Sequence, residues 1–301
     1  MSGTRSAVLN ALDHAVIAVR NLETASDTYT RLLGREPSWR GRHPQIGTAN
    51  TLFRLENTYV ELLSPEGEGA FAIELRRRIA HNGEGLLALA FATDDANDCA
   101  VSLRQRGVAA AAPVDGQGQE STSGAVRRWR NVYLPESETR GVPLFVIEHQ
   151  SPRDALPLAE PIASSGSTVS TVDHVVIMTA DPSATCALYR DKLGLRLALD
   201  RTFESRGLRL LFFRVGGITV ECAAHLEAAP APDVPDRLWG ISYRVVDLAA
   251  AHDRVAKAGF DVSDVRRGQR PGTLVCTVRR ETHGVATLLI GPDEGADKEA
   301  A

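Results

Sequence analysis

The stretch "LDHAVIAV", Leu12 to Val19, alternates its side chains as a short β-strand does, with one face turned to a core. A polar residue then caps a helix whose apolar positions Leu22, Ala25, Tyr29, Leu32 and Leu33 fall along one stripe. Gly34 supplies the left-handed stop. Two further strands are predicted in "NTLFRLEN" and "TYVELLSP", so the unit reads strand, helix, strand meander.

The unit returns at an offset of 160 residues. Asp13 falls on Asp173, His14 on His174, Val16 on Val176, Ile17 on Ile177, Tyr29 on Tyr189 and Gly34 on Gly194. Further on, Phe53 meets Phe213, Arg54 meets Arg214, and Glu61 meets Glu221, so the interval from His to Glu is 47 residues in both copies. Asp181 followed by Pro182 is a sharper helix start than its counterpart in the first copy. A weaker pair lies between, "FATDDANDCAVSLRQRGV" from Phe91 and "YRVVDLAAAHDRVAKAGF" from Tyr243, at an offset of 152. The chain therefore reads as four units in the order A-B-A-B. Residues 151–170, with three prolines and a Ser/Gly run, predict a linker between a first domain over 1–150 and a second over 171–301.

Strand parity carries the candidate chemistry. His14 shares a face with Val16 and Ala18, opposite Ile17 and Val19, and Glu61 shares a face with Tyr59 and Leu63, opposite Val60 and Leu62. If the helix covers Ile17, Val19, Val60 and Leu62, then His14 and Glu61 look into the concave side. A carboxylate in mid-strand among Tyr, Val and Leu is costly unless it is paired, hydrogen-bonded or metal-bound. The same holds for His174 and Glu221.

Composition narrows the classes. With 301 residues, 43% hydrophobic and 24% charged, the chain suits a two-core globular protein, and a net charge of -4 argues against nucleic acid as a partner. Arg127, Arg128 and Arg130 form a local basic cluster that reads as a solvated hairpin edge. No apolar run is long enough to suggest a membrane span, and the N-terminal stretch lacks the apolar core of a secretory signal. Cys99, Cys186, Cys222 and Cys276 are scattered and read as buried thiols, so a cytoplasmic location is expected.

A strand–helix–meander unit with "DH" on its first strand and Glu on its last resembles the vicinal oxygen chelate superfamily, and the first half is similar to its glyoxalase-like domains. The resemblance implies an α+β fold in which four βαβββ modules form two cupped mixed-sheet domains. It also implies one divalent ion (Zn, Ni, Co, Mn or Fe) held by first-strand and last-strand residues of two facing modules. Carried over, the ligands of the first cup are His14, Glu61 and Glu148, the last from "FVIEHQSP", which echoes "YVELLSP". His174 and Glu221 form a second set. The second module departs from the pattern with Ala88 on its first strand, and the fourth with Gly240 and no closing carboxylate. Pairing of neighbouring modules gives the first-half set. Pairing of the second with the third gives His174, Glu221 and Glu148, and pairing of the first with the third gives two His and two Glu.

The implied activity is a metal-dependent lyase or isomerase of the glyoxalase kind, in which Glu148 or Glu61 moves a proton and the ion steadies an enediolate-like charge. Fe(II)-dependent extradiol ring cleavage is one alternative. A metal-free cup that binds and sequesters a small molecule is another. His43, Thr48 and Asn50 in "RHPQIGTAN", together with Arg54 and Trp129, are candidate contacts for a small-molecule substrate, whereas His149 points away from the cup by parity. A homodimer is open to the chain, although its four units already contain the cups that shorter relatives build by dimerising.

Overall fold

The computed structural model describes residues 8–227, 231 and 233–293. The first seven residues, on which part of the signal-sequence reading falls, lie outside that range. The first half runs β1 (Ala11–Ala18), α1 (Leu22–Leu33), β2 (Trp39–His43), β3 (Thr48–Arg54), β4 (Tyr59–Pro65), α2 (Ala70–Asn82), β5 (Gly85–Ala92), α3 (Ala96–Gln105), β6 (Val114–Glu120), β7 (Val126–Tyr133) and β8 (Leu144–His149). The second runs β9 (Thr171–Met178), α4 (Pro182–Cys186), β10 (Arg196–Phe203), β11 (Leu208–Val215), β12 (Ile218–His225), β13 (Arg237–Arg244), α5 (Leu248–Lys257), β14 (Arg266–Arg267), β15 (Thr273–Val278) and β16 (Ala286–Pro292). The fold is α+β, with two mixed eight-stranded sheets built from strand–helix–meander units.

Local chemistry fixes the helices. Asn21, Asp95, Asp181 and Asp247 each accept a hydrogen bond from the first turn of α1, α3, α4 and α5 respectively, satisfying amides that the helix leaves open. Gly34 ends α1 at φ 71°, a backbone state that a side chain disfavours. Beyond Cys186, α4 continues as a π-helical stretch over Ala187–Lys192.

Neighbouring units pair. In the first half β1 runs antiparallel to β5 and parallel to β4, and two residue pairs between β2 and β6 (Gly41 with Glu120, Arg42 with Gln119) close the sheet into a barrel. The second sheet stays open between β10 and β14, with its exposed edge strand β10 carrying Arg196, Asp200 and Arg201 as a charged guard. The helix α2, which the hydrophobic pattern had not suggested, enters the mouth of the first barrel. Its Leu75 and Ile79 pack on Val16, Ala18, Leu63 and Ala88 and fill one end of the cup.

The convex faces of both sheets share one core. Ile17, Tyr29, Leu33, Phe53 and Leu103 of the first half belong to the same apolar cluster as Ile177, Tyr189, Phe213, Val255 and Leu289 of the second. Polar contacts reinforce it: Asn57 donates to the Val172 carbonyl at 2.8 Å, and His283 meets Glu84 at 2.9 Å. Arg254 of α5 reaches across to the C-terminal carbonyls of α1, donating to Leu32 at 2.9 Å, to Arg31, and to Ser167 at 3.1 Å. Among the described residues no helix is long and apolar enough to cross a membrane. All four cysteines are free and buried.

Arg254→Met keeps the apolar stem and deletes these charge-assisted bonds. It is expected to cost about 2 kcal/mol in urea unfolding. A change below about 0.5 kcal/mol, the level of an ordinary surface substitution, would show that the bridge adds nothing to the joining of the halves.

Candidate active site

β1 presents His14 to the interior of the first barrel, 3% exposed. Its Nδ1 donates to Asp13 Oδ1 at 2.7 Å and its Nε2 faces Glu61 Oε2 at 3.3 Å. Tyr59 stacks on the imidazole at 4.4 Å and Phe145 meets it edge-on at 5.5 Å. Each anion is held in turn: Asp13 Oδ2 accepts from His149 Nε2 at 2.9 Å, and Glu61 Oε1 accepts from Asn50 Nδ2 at 2.8 Å. Beyond Asn50 lies His43, whose Nδ1 is 3.0 Å from Thr48 Oγ1.

Burial opposes charge on His14, yet the hydrogen bonds to Asp13 and Glu61 outweigh it and push the imidazole up to about 9. Burial would raise both carboxyls. The bonds of Asp13 to His14 and His149, and of Glu61 to His14, instead hold them below the usual range. Burial pushes His43 down, with Glu61 opposing and Arg127 adding to the effect. The dyad is an imidazolium against a carboxylate, and His43 is a neutral neighbour.

This pair lies in a cavity of about 490 Å³. One wall is the inward face of β7, where Arg127, Trp129, Asn131 and Tyr133 alternate with outward residues. Trp129 lies over Gly116 of β6, where a Cβ would meet its indole nitrogen at 2.4 Å, and packs edge-on against His43 at 5.8 Å. Two buried amide oxygens, Asn50 Oδ1 and Asn131 Oδ1, have no hydrogen-bond partner among the described residues, and both residues line the cavity. A ligand with O–H or N–H groups would satisfy them.

The structure brings His14, Glu61, His43, Asn50 and Trp129 together around the cavity. Thr48 sits behind, orienting His43. Arg54 does not face the dyad, because its guanidinium donates to the carbonyls of Arg153 and Leu156 and pins the segment after β8. Glu148 departs from the expected set. It turns outward, accepting from the Ala96 amide of α3 at 2.9 Å and from Gln150 at 2.5 Å. The cause is register: Val16 pairs with Glu61 in one unit and Ala90 with Phe145 in the other, so the two-fold counterpart of Glu61 is Phe145. Glu148 lies an odd number of residues further on, which reverses the face. The same parity brings His149 inward, against the expectation that it points away. Arg127 likewise belongs to the wall, not to a solvated edge; the shared parity of Arg127 and Trp129 was the signal for it.

The second cup repeats the residues with different contacts. His174 Nδ1 donates to Asp173 at 2.9 Å, while its Nε2 lies 2.7 Å from Ser242 Oγ and 3.7 Å from Glu221. Ser242 sits opposite His174 where Ala90 sits opposite His14. With that hydroxyl available and the sheet open, Glu221 is coupled weakly, and burial pushes its carboxyl up.

A divalent ion of the kind implied by the resemblance asks for three or four protein donors about one point. Here the facing positions hold Ala88 and Phe145, which offer no donor atom, and His14 Nδ1 is taken up by Asp13 while its Nε2 faces Glu61. Among the described residues no group of three or more His, Cys, Asp or Glu side chains is placed to hold an ion. The donor set does not fit such a centre.

The dyad makes stability depend on pH in both directions. Below pH 6.5 the contribution of protonated His14 is complete, and it is lost as pH rises through about 9. Those of Asp13 and Glu61 are present above their ordinary values of 3.8 and 4.5 and are lost as pH falls. The melting temperature is expected to decline on the alkaline side between those limits, and His14→Gln to flatten that limb. An unchanged alkaline limb in the variant would show that His14 is not its source.

Comparison with known proteins agrees with this architecture. A family model described as a glyoxalase-like domain matches residues 12–171, and one described as the glyoxalase/bleomycin resistance protein/dioxygenase superfamily matches 173–277. The chain is 38% identical over 63 residues to an ethylmalonyl-CoA/methylmalonyl-CoA epimerase of Cereibacter sphaeroides, a match covering 21% of this chain and 47% of the epimerase. The chain thus matches about half the length of that curated relative. In fold it is similar to a variant of 4-hydroxymandelate synthase from Streptomyces coelicolor, with a TM-score of 0.66 and 14% identity over 95% of this chain and 93% of the other. It is also similar to the Mn(II)-bound glyoxalase from Novosphingobium aromaticivorans, with a TM-score of 0.61 and 13% identity over 94% and 82% of the two chains. Two matched domains, each on its own strand–helix–meander pair, place the chain in the glyoxalase/bleomycin resistance/dioxygenase, or vicinal oxygen chelate, superfamily.

Proposed function

We propose that the first cup binds a small oxygen-bearing molecule and moves a proton on it, as an isomerase or lyase does, with Glu61 as the proton carrier and His14 as the cationic support. One observation carries this reading: a carboxylate and a buried imidazole flanked by a second acid face each other at 3.3 Å inside a cavity that a small molecule can enter. While paired, Glu61 is a weak base. A substrate carbonyl that takes over the His14 Nε2–H leaves Glu61 Oε2 without its partner, and its basicity rises where a C–H beside that carbonyl would lie. The C–H bond breaks, its proton goes to Glu61, and the electron pair moves to the substrate oxygen, where imidazolium stabilises the enolate. Return of that proton from Glu61 to a neighbouring carbon on the same face completes an isomerisation, and loss of a β-substituent completes an elimination. Asp13 holds the ring in its doubly protonated form throughout, and Asn50 orients the carboxylate.

In this reading the His14 N–H itself polarises the substrate oxygen, so no step depends on Zn, Ni, Co, Mn or Fe. Extradiol chemistry gains no support, since it wants two His and one carboxylate about one ion, and among the described residues His14, His43 and Glu61 do not form a group placed to hold one. Sequestration without turnover is favoured by the apolar Ala88 and Phe145 opposite the dyad.

A screen with hemithioacetals, catechols and acyl-CoA epimers in deuterated water separates the readings. Glu61→Gln is expected to lower proton exchange by about 10²- to 10⁴-fold with little change in ligand affinity. Glu148→Gln and chelator treatment are expected to leave the rate unchanged. Binding of a probe with no exchange in the wild-type protein would establish sequestration instead, and loss of exchange on chelation would restore a metal.

A further inference from the structure

Arg127 is 7% exposed, yet among the described residues no carboxylate or carbonyl takes up its guanidinium. Its contacts are with ring faces: the guanidinium carbon lies 5.5 Å from the ring centre of Trp39 and 5.9 Å from that of Tyr59. Stacking of this kind occupies the plane of the cation and leaves the N–H edge available for in-plane acceptors. Arg127 lines the cavity of His14 and Glu61, and it also lines a second cavity of about 420 Å³ behind it, together with Tyr59, Arg54, Arg153 and His149. The acids nearby are already engaged, Asp13 by His14 and His149, and Glu61 by His14 and Asn50. A buried cation with an open donor edge at the junction of two hollows is an incomplete ion pair, and a ligand is the remaining source of the anion.

We infer that Arg127 anchors an anionic head group, carboxylate or phosphate, of the molecule that occupies the first cup. The ligand then spans the cavity: its charged end lies on Arg127 beside Tyr59, its hydroxyl or amide donors reach Asn50 Oδ1 and Asn131 Oδ1, and its apolar body rests on Phe145 and Leu63 toward α2. Tyr59 touches both His14 and Arg127, so an anchored anion brings the adjoining atoms to the dyad. The inference rests on the first cup being a ligand site and not on proton transfer at Glu61.

Calorimetric titration with phenylacetate, phenyl phosphate and neutral phenylacetamide tests it. The wild-type protein is expected to bind at least one of the two anions about 10- to 100-fold more tightly than the amide, as an arginine–anion pair in a cavity provides. The tighter of the two identifies the head group. Arg127→Met, which keeps the stem against Trp39 and Tyr59, is expected to abolish the preference and to hold amide affinity within about threefold, while Arg127→Lys retains part of it. Quenching of tryptophan fluorescence by acetate or inorganic phosphate, against chloride at equal ionic strength, reads the same site in unmutated protein. Equal affinity of the wild-type protein for all three probes, or an anion preference surviving in Arg127→Met, would overturn the inference. Glu61→Gln is expected to keep the preference, so a failure of the proton-transfer reading and a failure of this one are distinguishable.

Discussion

An imidazolium withdrawn from water is unfavourable until anions flank it, and the first cup is organised around meeting that condition. Asp13 on one side and Glu61 on the other supply the anions, and the distances of 2.7 and 3.3 Å make the nearer one the anchor and the farther one the responsive partner. His149 and Asn50 fix the outer oxygens of the two carboxylates. Tyr59 and Phe145 supply the apolar sides of the ring. Removing Asp13, Glu61, His149 or Asn50 leaves a charge or a dipole uncompensated in a low-dielectric space, so those four side chains and His14 act as one unit.

Duplication preserved residues more faithfully than environments. His174 and Glu221 repeat the pair, but a serine in place of Ala90 gives the second ring a neutral partner, and the open sheet leaves it wetter. A longer separation and an upward-shifted carboxyl follow. The contrast shows how little the identity of two side chains fixes their chemistry. Closure of the sheet by β2 and β6, and a single methyl-for-hydroxymethyl difference on the facing strand, accompany the change in separation from 3.3 Å to 3.7 Å.

Much of the architecture was legible in the chain. Repetition at a fixed offset exposed the units, and strand parity placed His14 and Glu61 in the concavity. Glu148 was misplaced because a local echo, Ser and Pro after the acid, says nothing about register across a barrel, and register depends on which backbone groups pair. The irregularities of β1 against β5, between Leu12 and His14 and between Val16 and Ile17, arise from tertiary closure and have no signature in periodicity. Arg127 was hidden for a different reason. Its neighbours Arg128 and Arg130 face outward, so the cluster read as solvent-facing until alternation through Trp129 was followed. The helix α2 lacks a side-chain cap and has a mixed face, so only its seat in the barrel mouth makes sense of Leu75 and Ile79.

The common apolar layer between the sheets has a consequence for how the molecule can be taken apart. Because Tyr29 and Phe53 rest in the same interior as Tyr243 and Cys276, a cut within 151–170 would not release two self-sufficient pieces. Each piece would carry an oily flank that its twin had covered, and would precipitate or seek a replacement. Excising the half with the ionic pair to make a smaller catalyst would therefore require redesigning that flank first. The half with the weaker cup thereby covers the apolar flank of the half that carries the ionic pair.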